Sequence, residues 1–158
     1  MAHRVQASID LKALQHNFSI ARSRAKASHI AAIIKANAYG HGLEHSALAL
    51  YDADLFGVTD VHEALALKNT GISKPILVLQ GLIHADELQL IVEHNFELVV
   101  HSSSQLTMID EALGKITIKK PLTFWLKMDT GMGRLGIEPK GFATTYKALL
   151  GRPYTGAV

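Results

Sequence analysis

A lysine closes an early apolar run of this 158-residue chain and has the clearest chemical potential in it. The run HIAAIIK ends in Lys35 and gives way to a loop of Ala36, Asn37, Ala38, Tyr39, Gly40, His41 and Gly42. Folds built on parallel strands gather their ligands at the C-terminal ends of those strands, so a lysine in this place faces a site. At the end of an apolar strand its ammonium is partly desolvated, which favours the neutral amine that Schiff-base chemistry needs. Taken alone, the position also suits a lysine that only marks where the strand meets water.

A second group lies far along the chain. The run LTFWLKM carries Lys127 near its end, and the loop after it contains Arg134. Side chains alternate along a strand, so Trp125, Lys127 and Asp129 share one face. Which way that face points is left open by the sequence, and Lys127 also suits a surface lysine whose stem lies on apolar neighbours.

Two further motifs are formally present. Gly131, Gly133 and Gly136 satisfy G-x-G-x-x-G after a strand, but the dinucleotide fingerprint requires these glycines to open a helix, with an acidic residue about 20 positions later. Here Pro139 follows within three residues and no Asp or Glu occurs after Glu138. His41, Glu44 and His45 satisfy H-x-x-E-H, a zinc-peptidase pattern that needs both histidines on one helix face. Gly40 and Gly42 flank His41 and favour a loop. Both motifs are set aside, and no metal site is expected. The other histidines (His16, His29, His62, His84, His94, His101) read as surface or capping residues.

The elements that must position Lys35 and Arg134 follow from periodicity. Leu11, Leu14, Phe18 and Ala21 sit at helical spacing in a segment from Leu11 to Lys26, with Asp10 as its N-cap. Short apolar runs then begin near His29, Leu55, Ile76, Glu97 and Leu122. Helical stretches follow at Leu43 to Tyr51, Asp60 to Asn69, Ala85 to His94, Ser102 to Leu113 and Pro139 to Leu150. Gly71 and Gly114 fall where a left-handed C-terminal cap favours glycine. Apolar runs without alternation predict strands covered on both faces, and strand–helix alternation predicts repeated βα units. The class is therefore α/β, with five such units and a further strand beginning near Tyr154. An open sheet fits this length. A closed (β/α)8 barrel takes roughly 250 residues, and the chain stops within an apolar run, so the expectation is an incomplete (β/α)8 TIM-type barrel.

Composition narrows the setting. Hydrophobic residues make up 48% and charged residues 19%, the profile of a soluble globular domain. The formal net charge of +2 and the scattered lysines and arginines argue against a nucleic-acid partner. Without cysteine there is neither a disulfide nor a thiolate metal site. The polar opening Met1 to Gln6 lacks the apolar core of a signal peptide, and no run is long enough to span a membrane, so a cytoplasmic location is expected.

Three blocks together carry a resemblance. IDLKALQHNF (Ile9 to Phe18), IIKANAYGHG around Lys35 and LKMDTGMGRLGIEP (Leu126 to Pro139) resemble, in order, segments of the alanine racemases, pyridoxal-phosphate enzymes of fold type III. The resemblance implies pyridoxal 5'-phosphate as cofactor, held by Lys35 as a Schiff base, and two-base racemisation of L- and D-alanine. It implies that Tyr39 contacts the cofactor phosphate. Arg134 would bind the cofactor's phenolic oxygen and the substrate carboxylate, and a carbamylated Lys127 would orient Arg134. Leu79 is a candidate to line the cofactor pocket. By the same resemblance, residues 1–158 are the N-terminal part of a barrel whose remainder, with a C-terminal β domain, is absent. The parent enzyme would be a homodimer supplying D-alanine for bacterial cell walls. The second base in such enzymes is a tyrosine from the partner subunit, which no segment here matches, so these residues alone are expected to racemise nothing measurable. Two readings stay open beside this one. The first is a racemase of broader amino-acid preference, the second a non-catalytic pyridoxal-phosphate-binding barrel.

Overall fold

The computed structural model describes residues 5–158; Met1 to Arg4, within the polar opening noted above, lie outside the described residues. Helix α1 (Leu11–Ala25) leads into β1 (Ala31–Ile33), and a single turn, α2 (Lys35–Tyr39), precedes helix α3 (Leu43–Ala49). Strand and helix then alternate through β2 (Leu55–Val58), α4 (Val61–Asn69), β3 (Ile76–Val78), α5 (Glu87–His94), β4 (Glu97–Val100) and α6 (Ser103–Leu113). The series closes with β5 (Leu122–Leu126), α7 (Pro139–Leu150) and β6 (Thr155–Ala157).

The six strands lie side by side in chain order, and every neighbouring pair is parallel. This order separates a barrel from an open doubly wound sheet. A doubly wound sheet reverses direction at a switch point, whereas a barrel adds each strand to the same side. The fold is α/β, part of a (β/α)8 barrel.

Alternation divides the strand residues into two sets. Phe56, Val58, Ile76, Val78, Leu98, Val100 and Phe124 join the large core under the helices. Leu55, Leu77 and Val99 form a second cluster on the other, concave face, with Ala31 and Leu79 packed against it. Both sets are buried, which is why the strands lack a polar alternation. Trp125 pairs in register with Val99, so Trp125 and Lys127 belong to the concave face. The direction left open by the sequence is inward.

The helix starts follow their caps. Asp10 accepts from Lys12 N at 2.9 Å and Ala13 N at 3.1 Å, Asp60 accepts from Glu63 N at 2.9 Å, and Ser102 accepts from Gln105 N at 3.3 Å. Pro139 opens α7. Gly71 is left-handed after α4 (φ 89°), as expected. Gly114 is not. It stays right-handed at φ −60° and closes α6 with its N–H on Asp110 and Ala112 carbonyls, so no left-handed cap forms there.

Two polar clamps tie successive units together. Arg152 grips Asp110 with Nε at 2.7 Å and Nη2 at 2.6 Å, and the Tyr154 hydroxyl also donates to Asp110. Burial, and then the neighbouring carboxylate, push the Tyr154 phenol up. Near the start of β1, Asp54 accepts from Ile30 N at 2.6 Å and pairs with Arg22 at 2.8 Å. The Ile30 N–H, followed by Arg22, lowers the Asp54 carboxyl from 3.8 to about 2. A depressed folded-state value contributes stability that is complete above the unfolded value and is lost as pH falls through the folded one. Asp54→Asn should therefore flatten the acid decline of the melting temperature between about pH 4 and about pH 2. An unchanged slope in thermal scans across that window would remove Asp54 from the account.

Candidate functional site

At the C-terminal ends of β1 to β5 the concave face opens into a cleft of about 470 Å³. Lys35, Thr59, Leu77, Leu79, Gln80, Val99, Trp125, Leu126, Lys127, Arg134 and Leu135 line it. Four of the five residues singled out in the sequence thus meet in one place: Lys35, Leu79, Lys127 and Arg134. Tyr39 is not among the lining residues, and its side chain is 60% exposed.

Lys35 is half-buried, just past β1. Its strand brings it there, and the turn that follows is unusual. Ala36, Asn37, Ala38 and Tyr39 all adopt left-handed backbone angles, with φ between 51° and 54°. Each such L-residue costs about 1–2 kcal/mol relative to the right-handed form, so the surroundings must hold the turn. Ala38 N donates to Ile34 O at 2.8 Å, and Asn37 Oδ1 accepts from Leu43 N at 2.8 Å, capping α3. The Glu63 carboxylate accepts from Asn37 N at 2.9 Å and from Thr59 N at 2.8 Å. Burial alone would raise the Glu63 carboxyl, but the backbone N–H groups of Thr59 and Asn37 outweigh it and hold it below the usual range.

Arg134 is carried by a loop closed at its base. Ile137 N donates to Lys127 O at 2.8 Å and Asp129 N donates to Ile137 O at 3.0 Å. Asp129 Oδ1 accepts from Gly131 N at 2.9 Å and Gly133 N at 3.0 Å. These N–H groups, Gly131 first, lower the Asp129 carboxyl. The glycines of the G-x-G-x-x-G pattern therefore build this loop, with φ of 127°, 67° and 129°, and the next helix begins only at Pro139. His41 precedes α3 with its Nδ1 2.8 Å from Ala38 O, whereas His45 is on the helix, so the two do not share a helix face.

The third wall is a pinned loop after β3. Gln105, 5% exposed, donates from Nε2 to Gln80 O at 3.0 Å and Leu82 O at 3.2 Å, and accepts from His101 N at 3.0 Å. The His101 ring also meets Gln80 O at 3.0 Å. His101 is thus a half-buried loop anchor, a role its neighbours in sequence did not suggest.

Electrostatically the cleft is one-sided. Lys35, Lys127 and Arg134 line it and no carboxylate does. Among the described residues, none of the three is paired with an acidic group. Three unpaired cations above an apolar floor suit an anionic ligand with an apolar body. Trp125, the sole tryptophan, is held in the wall by its Nε1–H donating to Glu97 at 2.6 Å.

Reasoning from sequence missed Glu63, Thr59, Gln80 and Gln105. For Glu63 a signal existed. Asp60 and Glu63 form the D-x-x-E spacing of a capping box, in which the second carboxylate reaches back over the helix start. Here it reaches further than the cap, to the neighbouring loop.

Residues 9–156 match the family described as "Alanine racemase, N-terminal domain". The chain is 49% identical over 146 residues to the alanine racemase of Pseudomonas entomophila, covering 92% of this chain and 40% of that protein. Among solved structures, the biosynthetic alanine racemase of Pseudomonas aeruginosa superposes with a TM-score of 0.82 at 35% identity, over 94% of this chain and 40% of that one. The alanine racemase of E. faecalis gives 0.84 at 29% identity, over 94% and 41%. The chain thus spans about two fifths of the length of the relatives it matches.

Proposed function

This chain belongs to the alanine racemase N-terminal domain family, and from that premise we propose that its cleft is the pyridoxal-phosphate face of an enzyme interconverting L- and D-alanine. The observation that carries the reading is the convergence of Lys35, Lys127 and Arg134 on an apolar floor free of carboxylates. That donor set fits the cofactor: a primary amine for its aldehyde, apolar side chains for its ring and cations for its anionic groups. Bound, pyridoxal phosphate supplies an electron sink that stabilises the charge left when the α-proton departs.

The protein's own residues do the rest. Lys35 Nζ would be the covalent anchor for the cofactor aldehyde, and its amine would hold or deliver a proton on one face of the substrate α-carbon. Leu79 and Trp125 bed the ring and exclude water from one side. The Arg134 guanidinium would hold the phenolic oxygen and the substrate carboxylate, a task suited to its fixed fork of donors. Carbamylation of Lys127 at Nζ would replace its positive charge with a negative one and orient Arg134. Tyr39, exposed at the end of the turn, would donate its hydroxyl to the phosphate.

The chain forms the first part of the barrel of a homodimeric, cytoplasmic enzyme that provides D-alanine for cell-wall synthesis. No helix among the described residues is long and apolar enough to cross a membrane. Residues 1–158 hold one base of the two, so alone they produce no measurable D-alanine from L-alanine. Cofactor binding is testable in the chain as it stands. Trp125 is the only tryptophan and lines the cleft, so pyridoxal phosphate should quench its emission saturably. Emission unaltered by the cofactor would contradict the assignment of the cleft.

A further inference from the structure

The left-handed turn after β1 needs an external hold, and the next βα unit provides one. Inside the turn, the Asn37 N–H donates to a side chain of α4. Both oxygens of one carboxylate are engaged there, Oε1 by Asn37 N at 2.9 Å and Oε2 by Thr59 N at 2.8 Å. The carboxylate belongs to Glu63, in the first turn of α4, whose own N–H is fixed by Asp60 at 2.9 Å. Thr59 and Lys35 both line the cleft, so this bridge sets the distance between two of its walls. Resting on the reading of Lys35 as the cofactor lysine, we propose that Glu63 is its positioning residue: it locks the turn Lys35–Tyr39 in the left-handed form and thereby aims Lys35 into the cleft.

The chemistry of the bridge explains why the residue must be an acid. Two backbone donors converge on it, and only a carboxylate offers two acceptors without a donor of its own. Glutamine would present an NH₂ group to one of the two N–H groups, leaving that donor without a partner. Aspartate is shorter by one methylene and would reach one donor, not both.

Two measurements on the full chain separate positioning from bulk stability. In hydrogen exchange without cofactor, Glu63→Gln should lose protection at the Asn37 and Thr59 amides by about tenfold, with the amides of β4 unaltered. In borohydride trapping with pyridoxal phosphate, Glu63→Gln should slow modification of Lys35 by about tenfold, at a temperature where the variant is folded. Asp110→Asn, which breaks the Arg152–Tyr154 clamp, is the stability control and should stay within about twofold of wild type. Glu63→Asp should fall between Gln and wild type in both assays, and it takes the place of Glu63→Gln if that variant does not fold. Wild-type protection at Asn37 and Thr59 in Glu63→Gln, or trapping slowed no more than in Asp110→Asn, would overturn the proposal. Wild-type chain that traps no cofactor at Lys35 would overturn the cofactor reading instead, and the exchange result would still decide whether Glu63 holds the turn.

Discussion

Lys35→Ala is expected to abolish borohydride-stable attachment of pyridoxal phosphate while leaving the chain folded. The two halves of that result come from different observations. Lys35 is the amine at the end of β1 on the cleft wall, so its removal takes away the proposed covalent anchor. Its side chain makes no ion pair among the described residues and is only half-buried, so the fold loses little. A change of about 0.5 kcal/mol is typical for such a position. The checks are absorbance of the reduced adduct and a thermal melt on the same sample. Undiminished incorporation in a folded variant would show that another lysine carries the cofactor.

Gly136→Ala should cost about 3 kcal/mol, lowering the melting temperature by roughly 6–12 °C in a chain of this size. Gly136 sits at φ +129°, a backbone region open in practice only to glycine. A Cβ there would come within 2.4 Å of Asp129 N and 2.7 Å of Met128 C, backbone atoms that cannot swing aside. Those atoms belong to the base of the loop that carries Arg134, where Asp129 N pairs with Ile137 O. The substitution therefore either strains the loop or opens it. A melting temperature within a degree or so of wild type would mean the loop does not close as described.

The α/β elements were legible because burial and capping are local. Asp10, Asp60 and Ser102 announce their helices, and Pro139 opens α7 where the periodicity starts. The face to which each strand side chain points was not legible. Leu55, Leu77 and Val99 look no different from Phe56, Val78 and Val100 in a run buried on both sides, and only the register of β2 to β5 sorts them into concave and convex sets. The choice between barrel and open sheet likewise depended on strand order, which no single βα unit encodes.

The candidate site was legible as separate residues. Lys35, Lys127 and Arg134 could be picked out by type and by their neighbours, and their meeting in one cleft depends on β1 and β5 curving around the same face. Two expectations met local physics that a pattern does not contain. Gly114 keeps a right-handed backbone because α6 ends by donating back to its own carbonyls. The segment after Lys35 reads as a loop, since four consecutive left-handed residues without glycine are disfavoured by intrinsic preference. A carboxylate from α4 and a capping asparagine override that preference. Glu63 escaped notice for the same reason: its partners are 26 residues and 4 residues away, one of them in another βα unit.

The most direct test of the central assignment is peptide mapping of the wild-type chain after incubation with pyridoxal phosphate and borohydride reduction. Eleven lysines compete for the label, several of them more exposed than Lys35, so selective reaction cannot come from accessibility alone. The account predicts a single dominant adduct on the peptide containing Lys35, formed at low cofactor concentration. Label spread across the exposed lysines, or concentrated at Lys127, would contradict it.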